Sequence, residues 1–153
     1  MAGHILAIDQ GTTGTTVLVL DRDLNVAGRA AAEFTQHYPR AGWVEHEPGD
    51  IWRVTLRVVA EALRTAGLGA ARHRRVGVTN QRETVVLWDR RTLEPVGRAI
   101  VWQDRRTAAF CDGLRAAGHE PLVRARTGLV LDPYFSASKI RWRLDNDPAL
   151  RTR

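Results

Sequence analysis

The chain has 153 residues, 44% hydrophobic and 26% charged, which suits one packed domain and excludes a disordered chain. Its net charge of +6 is almost wholly arginine, with Lys139 the single lysine, and the arginines are scattered, so a solvated basic surface is expected rather than a nucleic-acid stripe. No apolar run approaches the ~20 residues of a membrane helix. MAGHILAIDQ lacks a basic leader and carries Asp9, and Cys111 stands alone, so the expectation is a cytoplasmic protein with no signal peptide, internal disulfide, membrane or nucleic-acid partner.

In chain order, HILAIDQG (His4 to Gly11) is apolar without alternation and reads as a short buried strand. GTTGTT leads to a second strand, Val17 to Asp21, and turn chemistry from Asp21 to Asn25 leads to a third, Val26 to Phe34. Two short turns among three strands imply an antiparallel meander. Tyr38 to Asp50 reads as a loop, punctuated by Pro39, Gly42, Pro48 and Gly49. The spacing of Ile51, Val54, Val58, Ala62 and Leu63 predicts a helix with Asp50 as its N-cap, ended by Gly67 and Gly69.

Val76 to Val78 is expected to be a strand running into TNQRET, followed by another strand at Thr84 to Trp88 and a brief one at Ala99 to Trp102. Asp104 is placed as the cap of a helix through Leu114, closed by Gly118. Shorter helices follow at Pro121 to Arg126 and Ser136 to Leu144, the latter with Lys139, Arg141 and Arg143 on a solvent face. Strands first as a meander and then alternating with helices imply an α/β fold with a mixed sheet.

Four stretches carry candidate chemistry. In DQGTTGTT, Asp9 ends a buried strand, where a carboxylate needs water, a donor or a metal. Gly11 and Gly14 permit tight turns whose N–H groups can cup an anion, and Thr12, Thr13, Thr15 and Thr16 add hydroxyls. This is not the P-loop pattern, which needs a Lys before Ser or Thr; a decorated hairpin turn fits the residues equally well. In NQRET, Arg82 and Glu83 converging at a bend offer a donor fork and a bidentate acceptor suited to a polyol, against the alternative of a surface ion pair. Trp102 at a strand end suits the C–H face of a small polyol, and Tyr134 in DPYFS offers a hydroxyl; each alone reads as structural. The five histidines show no metal spacing.

Taken together, AIDQGTT, AGWVEHEP, GVTNQRETVVLWD, AIVWQDRRT and TGLVLDPYFSASKIRW resemble the N-terminal part of the FGGY carbohydrate kinases, in family order from about His4 to Leu144. NQRET with WQDRRT and DPYFS points within that family to the members that phosphorylate glycerol. The resemblance implies a ribonuclease-H-like, actin-like mixed sheet with flanking helices, as an N-terminal domain over 1–153 that is incomplete at its C-terminus. It implies ATP and Mg2+ as cofactors and glycerol as substrate. Arg82, Glu83 and Tyr134 would hydrogen-bond glycerol, and Trp102 would pack on its carbons. Thr12, Thr13 and Gly14 would lie at the nucleotide phosphates, and Asp9 near magnesium through water.

Two departures stand out. Family members often carry an Arg where Thr16 stands. The family's length is roughly threefold greater, with its general-base aspartate expected beyond Arg153, so no catalytic base is assigned and the chain alone is expected to be inactive. A full-length enzyme would be expected to form a homo-oligomer. The alternatives are a non-catalytic polyol- or nucleotide-binding fragment and a kinase of another polyol or triose.

Overall fold

The structure is a computed structural model, and it describes residues 3–69 and 73–151. In chain order its elements are β1 (His4–Gln10), β2 (Gly14–Leu20), β3 (Val26–Glu33), β4 (Gln36–His37), β5 (Glu45–His46), α1 (Pro48–Thr65), β6 (His73–Asn80), β7 (Ala99–Ile100), α2 (Ala108–Ala116), α3 (Glu120–Thr127) and α4 (Ser136–Asn146), then a 3-10 turn at Pro148–Arg151. They fall into two compact units, Met1–Gln36 with Glu47–Gln81, and His37–His46 with Arg82–Arg153.

The first unit is a four-stranded sheet in the order β3-β2-β1-β6. β1 and β2 pair antiparallel with Ile8 opposite Val17, and β2 and β3 pair antiparallel with Val17 opposite Ala30, as the meander requires. β6 adds parallel to β1, with Ile8 opposite Val78, after the chain has passed through α1. This is the mixed sheet that a ribonuclease-H-like fold demands. Leu6, Val17 and Val19 pack against Val58, Ala62 and Leu63 of α1. The two-residue period of β2 puts Thr15 on this buried face too, where its Oγ1 lies 3.3 Å from Thr55 Oγ1. Gly28 lets β3 meet α1 closely: a Cβ there would stand 2.4 Å from the Ala62 carbonyl oxygen.

The first turn follows its chemistry. Asp21 Oδ1 accepts from the amides of Asp23 and Asn25, each at 2.9 Å, and Leu24 takes a left-handed φ of 63°. α1 begins earlier than its apolar spacing suggests, with Glu47 at the N-cap and Pro48 in the first turn. Asp50 is therefore inside the helix, where it pairs with Arg53 instead of capping. The helix ends before Gly67 (φ 66°), as expected.

The second unit is built around shorter pieces. β4, β5 and β7 form a small sheet, with Glu45 opposite Ile100. The expected strand at Thr84 to Trp88 is not one. Only Val85 pairs with Ile100, exchanging two hydrogen bonds of 2.9 Å, and Trp88 bridges to Pro95. Left-handed φ angles at Glu83 and Leu93 curl the backbone at either side of this run.

Asp104 is not a helix cap either. It is 1% exposed, and its carboxylate accepts from the Val44 amide at 2.7 Å and from the Arg106 side chain at 2.9 and 2.8 Å. Arg106 also donates to Glu45 Oε1 at 2.8 Å, and its guanidinium lies over the rings of Trp43 (3.7 Å) and Trp142 (4.7 Å), which meet edge to face. α2 starts instead after Thr107, whose hydroxyl is 2.8 Å from that of Ser138 on α4. α3 closes at Gly128 in the left-handed conformation. The basic face expected of α4 is divided: Arg141 is exposed and pairs with Asp145, Arg143 donates to the Arg98 carbonyl, and Lys139 is 0% exposed. Among the described residues no helix is long and apolar enough to cross a membrane.

Breaking a buried ion pair from one side leaves a charge unpaired and costs about 3–5 kcal/mol. Asp104→Ala is accordingly expected to destabilise the protein by about that much in urea titrations, with Asp104→Asn in between; a loss under ~1 kcal/mol would contradict the geometry. His46 titrates in a second way. Burial, helped by the neighbouring His37, holds its ring at a pKa of about 4, against 6.5 in the open chain. Between those values only the unfolded chain binds this proton, so the stability held above pH ~6.5 is lost as the pH falls toward ~4. The acid fall in stability should be shallower for His46→Gln than for the parent; equal slopes would rule His46 out as its source.

Candidate functional site

Each unit holds one part of the predicted chemistry. In the first, β1 ends at Gln10 and β2 begins at Gly14, so residues 11–13 are a tight hairpin turn closed by the Gly11 amide on the Gly14 carbonyl at 2.9 Å. Asp9, Gly11, Thr13, Gly14, Thr15 and Thr16, with residues 31–33, line a concavity of about 400 Å³. Gly14 is obligatory: a Cβ would stand 2.4 Å from the Ala32 carbonyl oxygen. Gln81, 8% exposed, braces the turn through its amide, 3.4 Å from both Gln10 Oε1 and the Gly11 carbonyl.

Asp9, Thr13 and Gly14 are thus brought together. Thr12 is not among the lining residues; its carbonyl accepts from the Gln36 side chain at 3.0 Å. Thr15 contributes no hydroxyl to the concavity, because its side chain is turned into the core toward Thr55. Glu33 is a lining residue that sequence reasoning missed; it arrives by standing opposite Gly14 in the β2–β3 register. Among the described residues the lining holds two carboxylates and no lysine or arginine. Among the described residues no group of three or more His, Cys, Asp or Glu gathers in metal-binding geometry. A single carboxylate such as Asp9, beside hydroxyls and open space, fits Mg2+, which keeps most of its waters and binds chiefly through substrate phosphates.

In the second unit Glu83 adopts φ 64°, and this directs its carboxylate at the start of α4. Oε2 accepts from the Ser136 amide at 2.7 Å and from the Ser136 hydroxyl at 2.8 Å. No side chain of α4's own N-cap residue, Phe135, does this work, so Glu83 supplies the anion that a helix N-terminus favours. Glu83 Oε1 makes no hydrogen bond among the described residues, and neither does the exposed guanidinium of Arg82. Arg82 and Glu83 make no direct ion pair with one another, since the Glu83 carboxylate is turned to Ser136.

Trp102 and Tyr134 meet edge to face with ring centroids 5.9 Å apart. The Trp102 amide donates to Thr84 Oγ1 at 3.3 Å, one residue beyond Glu83. Tyr134 is fixed from both sides, its amide donating to Asp132 Oδ1 at 2.8 Å and its ring meeting Phe135 at 5.1 Å. Glu83, Trp102 and Tyr134 therefore share one neighbourhood, and Arg82 adjoins it through the chain. Sequence reasoning missed Ser136 and Lys139. The buried Lys139 ammonium donates to the Tyr134 carbonyl oxygen. Burial pushes its pKa below the ordinary lysine value, while the carboxylates of Glu83, Asp104 and Asp132 pull it back up. The signal for Ser136 was present, since it opens a predicted helix; its acidic partner 53 residues earlier was not readable.

Comparison with known proteins gives the family. Residues 4–153 match the FGGY family of carbohydrate kinases, N-terminal domain. The chain is 60% identical over its whole length to a glycerol kinase of Methylobacterium nodulans and 53% identical over 98% of its length to one of Roseobacter denitrificans, and it spans 30% of each. Among solved structures it is similar to Plasmodium falciparum glycerol kinase with ADP, with a TM-score of 0.93 and 33% identity over 99% of this chain and 30% of that one. It is also similar to a xylulose kinase of Rhodospirillum rubrum, with a TM-score of 0.85 and 29% identity over 96% of this chain and 30% of that one. With the family model matching residues 4–153, the chain belongs to the FGGY family of carbohydrate kinases.

Proposed function

We propose that this chain is the N-terminal segment of an ATP-dependent glycerol kinase, which phosphorylates glycerol to sn-glycerol 3-phosphate in the cytoplasm as part of a homo-oligomeric enzyme. The observation that carries the reading is the neighbourhood of Glu83, Trp102 and Tyr134, in which an edge-to-face aromatic pair adjoins a carboxylate with one oxygen unused. A three-carbon triol presents little surface, so its recognition needs one apolar wall and a few placed hydrogen bonds.

Trp102 supplies the wall against the carbons. Glu83 Oε1 accepts from one hydroxyl, the Tyr134 hydroxyl serves another, and Arg82 donates to a hydroxyl oxygen. Because Glu83 is already anchored on Ser136, little freedom is lost when glycerol binds. At the hairpin turn of the first unit, Thr13 and Gly14 would lie at the nucleotide phosphates with Thr12 beside them in the turn, and Asp9 would hold magnesium through water. MgATP supplies the phosphoryl group when bound. Among the described residues the concavity is lined by acidic Asp9 and Glu33 and by no lysine or arginine, so a bound metal ion would have to neutralise phosphate charge there. No residue of this chain is assigned as general base.

The reading is tested by grafting this chain in place of the matching residues of the Methylobacterium nodulans enzyme. The graft is expected to release ADP in a glycerol-dependent manner, and the 153-residue chain alone to release none. Turnover by the chain alone, or a folded but inactive graft, would overturn it. Within the graft, Arg82→Ala should lower kcat/KM for glycerol by about 10- to 100-fold, the cost of a lost hydrogen bond to a charged group. A propanediol should be a poor substrate for the parent graft, since it leaves a polar group of the pocket unpaired. If Arg82→Ala leaves glycerol kinetics intact, the pocket lies elsewhere.

A further inference from the structure

Lys139 is the only lysine of the chain and, among the described residues, the largest fully buried side chain. An ammonium is seldom enclosed in this way without paired charge or a positioning task. Here it lies on the second turn of α4 and reaches back to donate to the Tyr134 carbonyl oxygen, with its nitrogen 6.0 Å from the centroid of the Tyr134 ring. The same helix begins at Ser136, on which Glu83 is anchored through both the amide and the hydroxyl. Ser138, one residue before Lys139, is held by the Thr107 hydroxyl at 2.8 Å, so the helix turn that carries the lysine is itself fixed.

We infer that Lys139 is a positioning residue of the polyol site, locking the Tyr134 backbone so that the ring stands against Trp102 and the hydroxyl meets the substrate. The inference rests on the assignment of Glu83, Trp102 and Tyr134 to that site. One cation serves two purposes. It fixes the backbone of a loop whose side chain is to touch substrate, and it sets a positive charge near Glu83 without spending any oxygen of Glu83 on a direct ion pair. The carboxylate keeps its free oxygen for a hydroxyl. Lys139 itself, fully enclosed, makes no contact with substrate.

The test uses the full-length graft and the variants Lys139→Met and Lys139→Gln, with Trp102→Ala as the control for the pocket. The expected result is a glycerol KM raised tenfold or more for both lysine variants and for Trp102→Ala, with the KM for MgATP within twofold of the parent. Packing alone would lower the melting temperature without this division between the two substrates. A folded lysine variant whose glycerol KM is unchanged, while Trp102→Ala raises it, overturns the role of Lys139 and leaves the pocket standing. If Trp102→Ala also leaves glycerol KM unchanged, the pocket assignment itself fails. Should neither lysine variant fold, Lys139→Arg decides: a glycerol KM within threefold of the parent supports the inference, and a tenfold rise with normal stability overturns it.

Discussion

The second unit depends on one desolvated ion pair. Arg106 and Asp104 are each about 1% exposed in their side chains, and two charges so enclosed are tolerable only when paired and hydrogen-bonded, although Arg106 Nη1 has no hydrogen-bond partner among the described residues. Asp104 takes the Val44 amide as well as the guanidinium, and the guanidinium takes Glu45 and two indole faces. The short β5 segment, the WQDRR segment and Trp142 at the middle of α4 are thereby held to one another. Pieces as short as β5 and β7 hold few backbone hydrogen bonds of their own, so the charges do what a longer ladder would do. The aromatic corner of Trp102 and Tyr134 inherits its geometry from this arrangement, since Trp102 lies two residues before Asp104 and Tyr134 just before α4.

The first unit was largely legible from sequence. Apolar runs, the Asp21 turn and the glycines after α1 each report local physics, and those elements appear where the residues put them. Most misreadings came where a distant partner decides. The run Thr84 to Trp88 has strand composition but finds only isolated bridges. Asp104 and Asp50 resemble helix caps, yet one is drawn into the core by Arg106 and the other is preceded by Pro48, whose fixed φ starts the helix sooner. Lys139 and its two arginine neighbours look like one basic face, but a helix turn separates them into a buried, a backbone-bound and an exposed cation. Of the candidate site, the family resemblance supplied the residues proposed; nothing in the sequence signalled the left-handed turn at Glu83 or its serine partner, because both are properties of a meeting between segments 53 residues apart.

The two parts of the site differ in electrostatic character. The glycine turn of the first unit makes room rather than charge: its lining is small, hydroxylated and acidic, suited to a ligand that arrives with its own metal. The second unit offers aromatic surface, one anchored carboxylate and one exposed arginine, suited to a neutral ligand with many hydroxyls. Under the proposed function, that division would answer to phosphoryl transfer, which rests on positioning and on charge stabilisation.

Enclosing the sole lysine has a consequence for how the molecule can be handled. All the positive charge on its exterior side chains is guanidinium or imidazole, so reagents that acylate side-chain amines find no target on the surface. Acylation of the Lys139 amine itself therefore waits until the interior has opened, which makes labelling at position 139 a direct readout of unfolding.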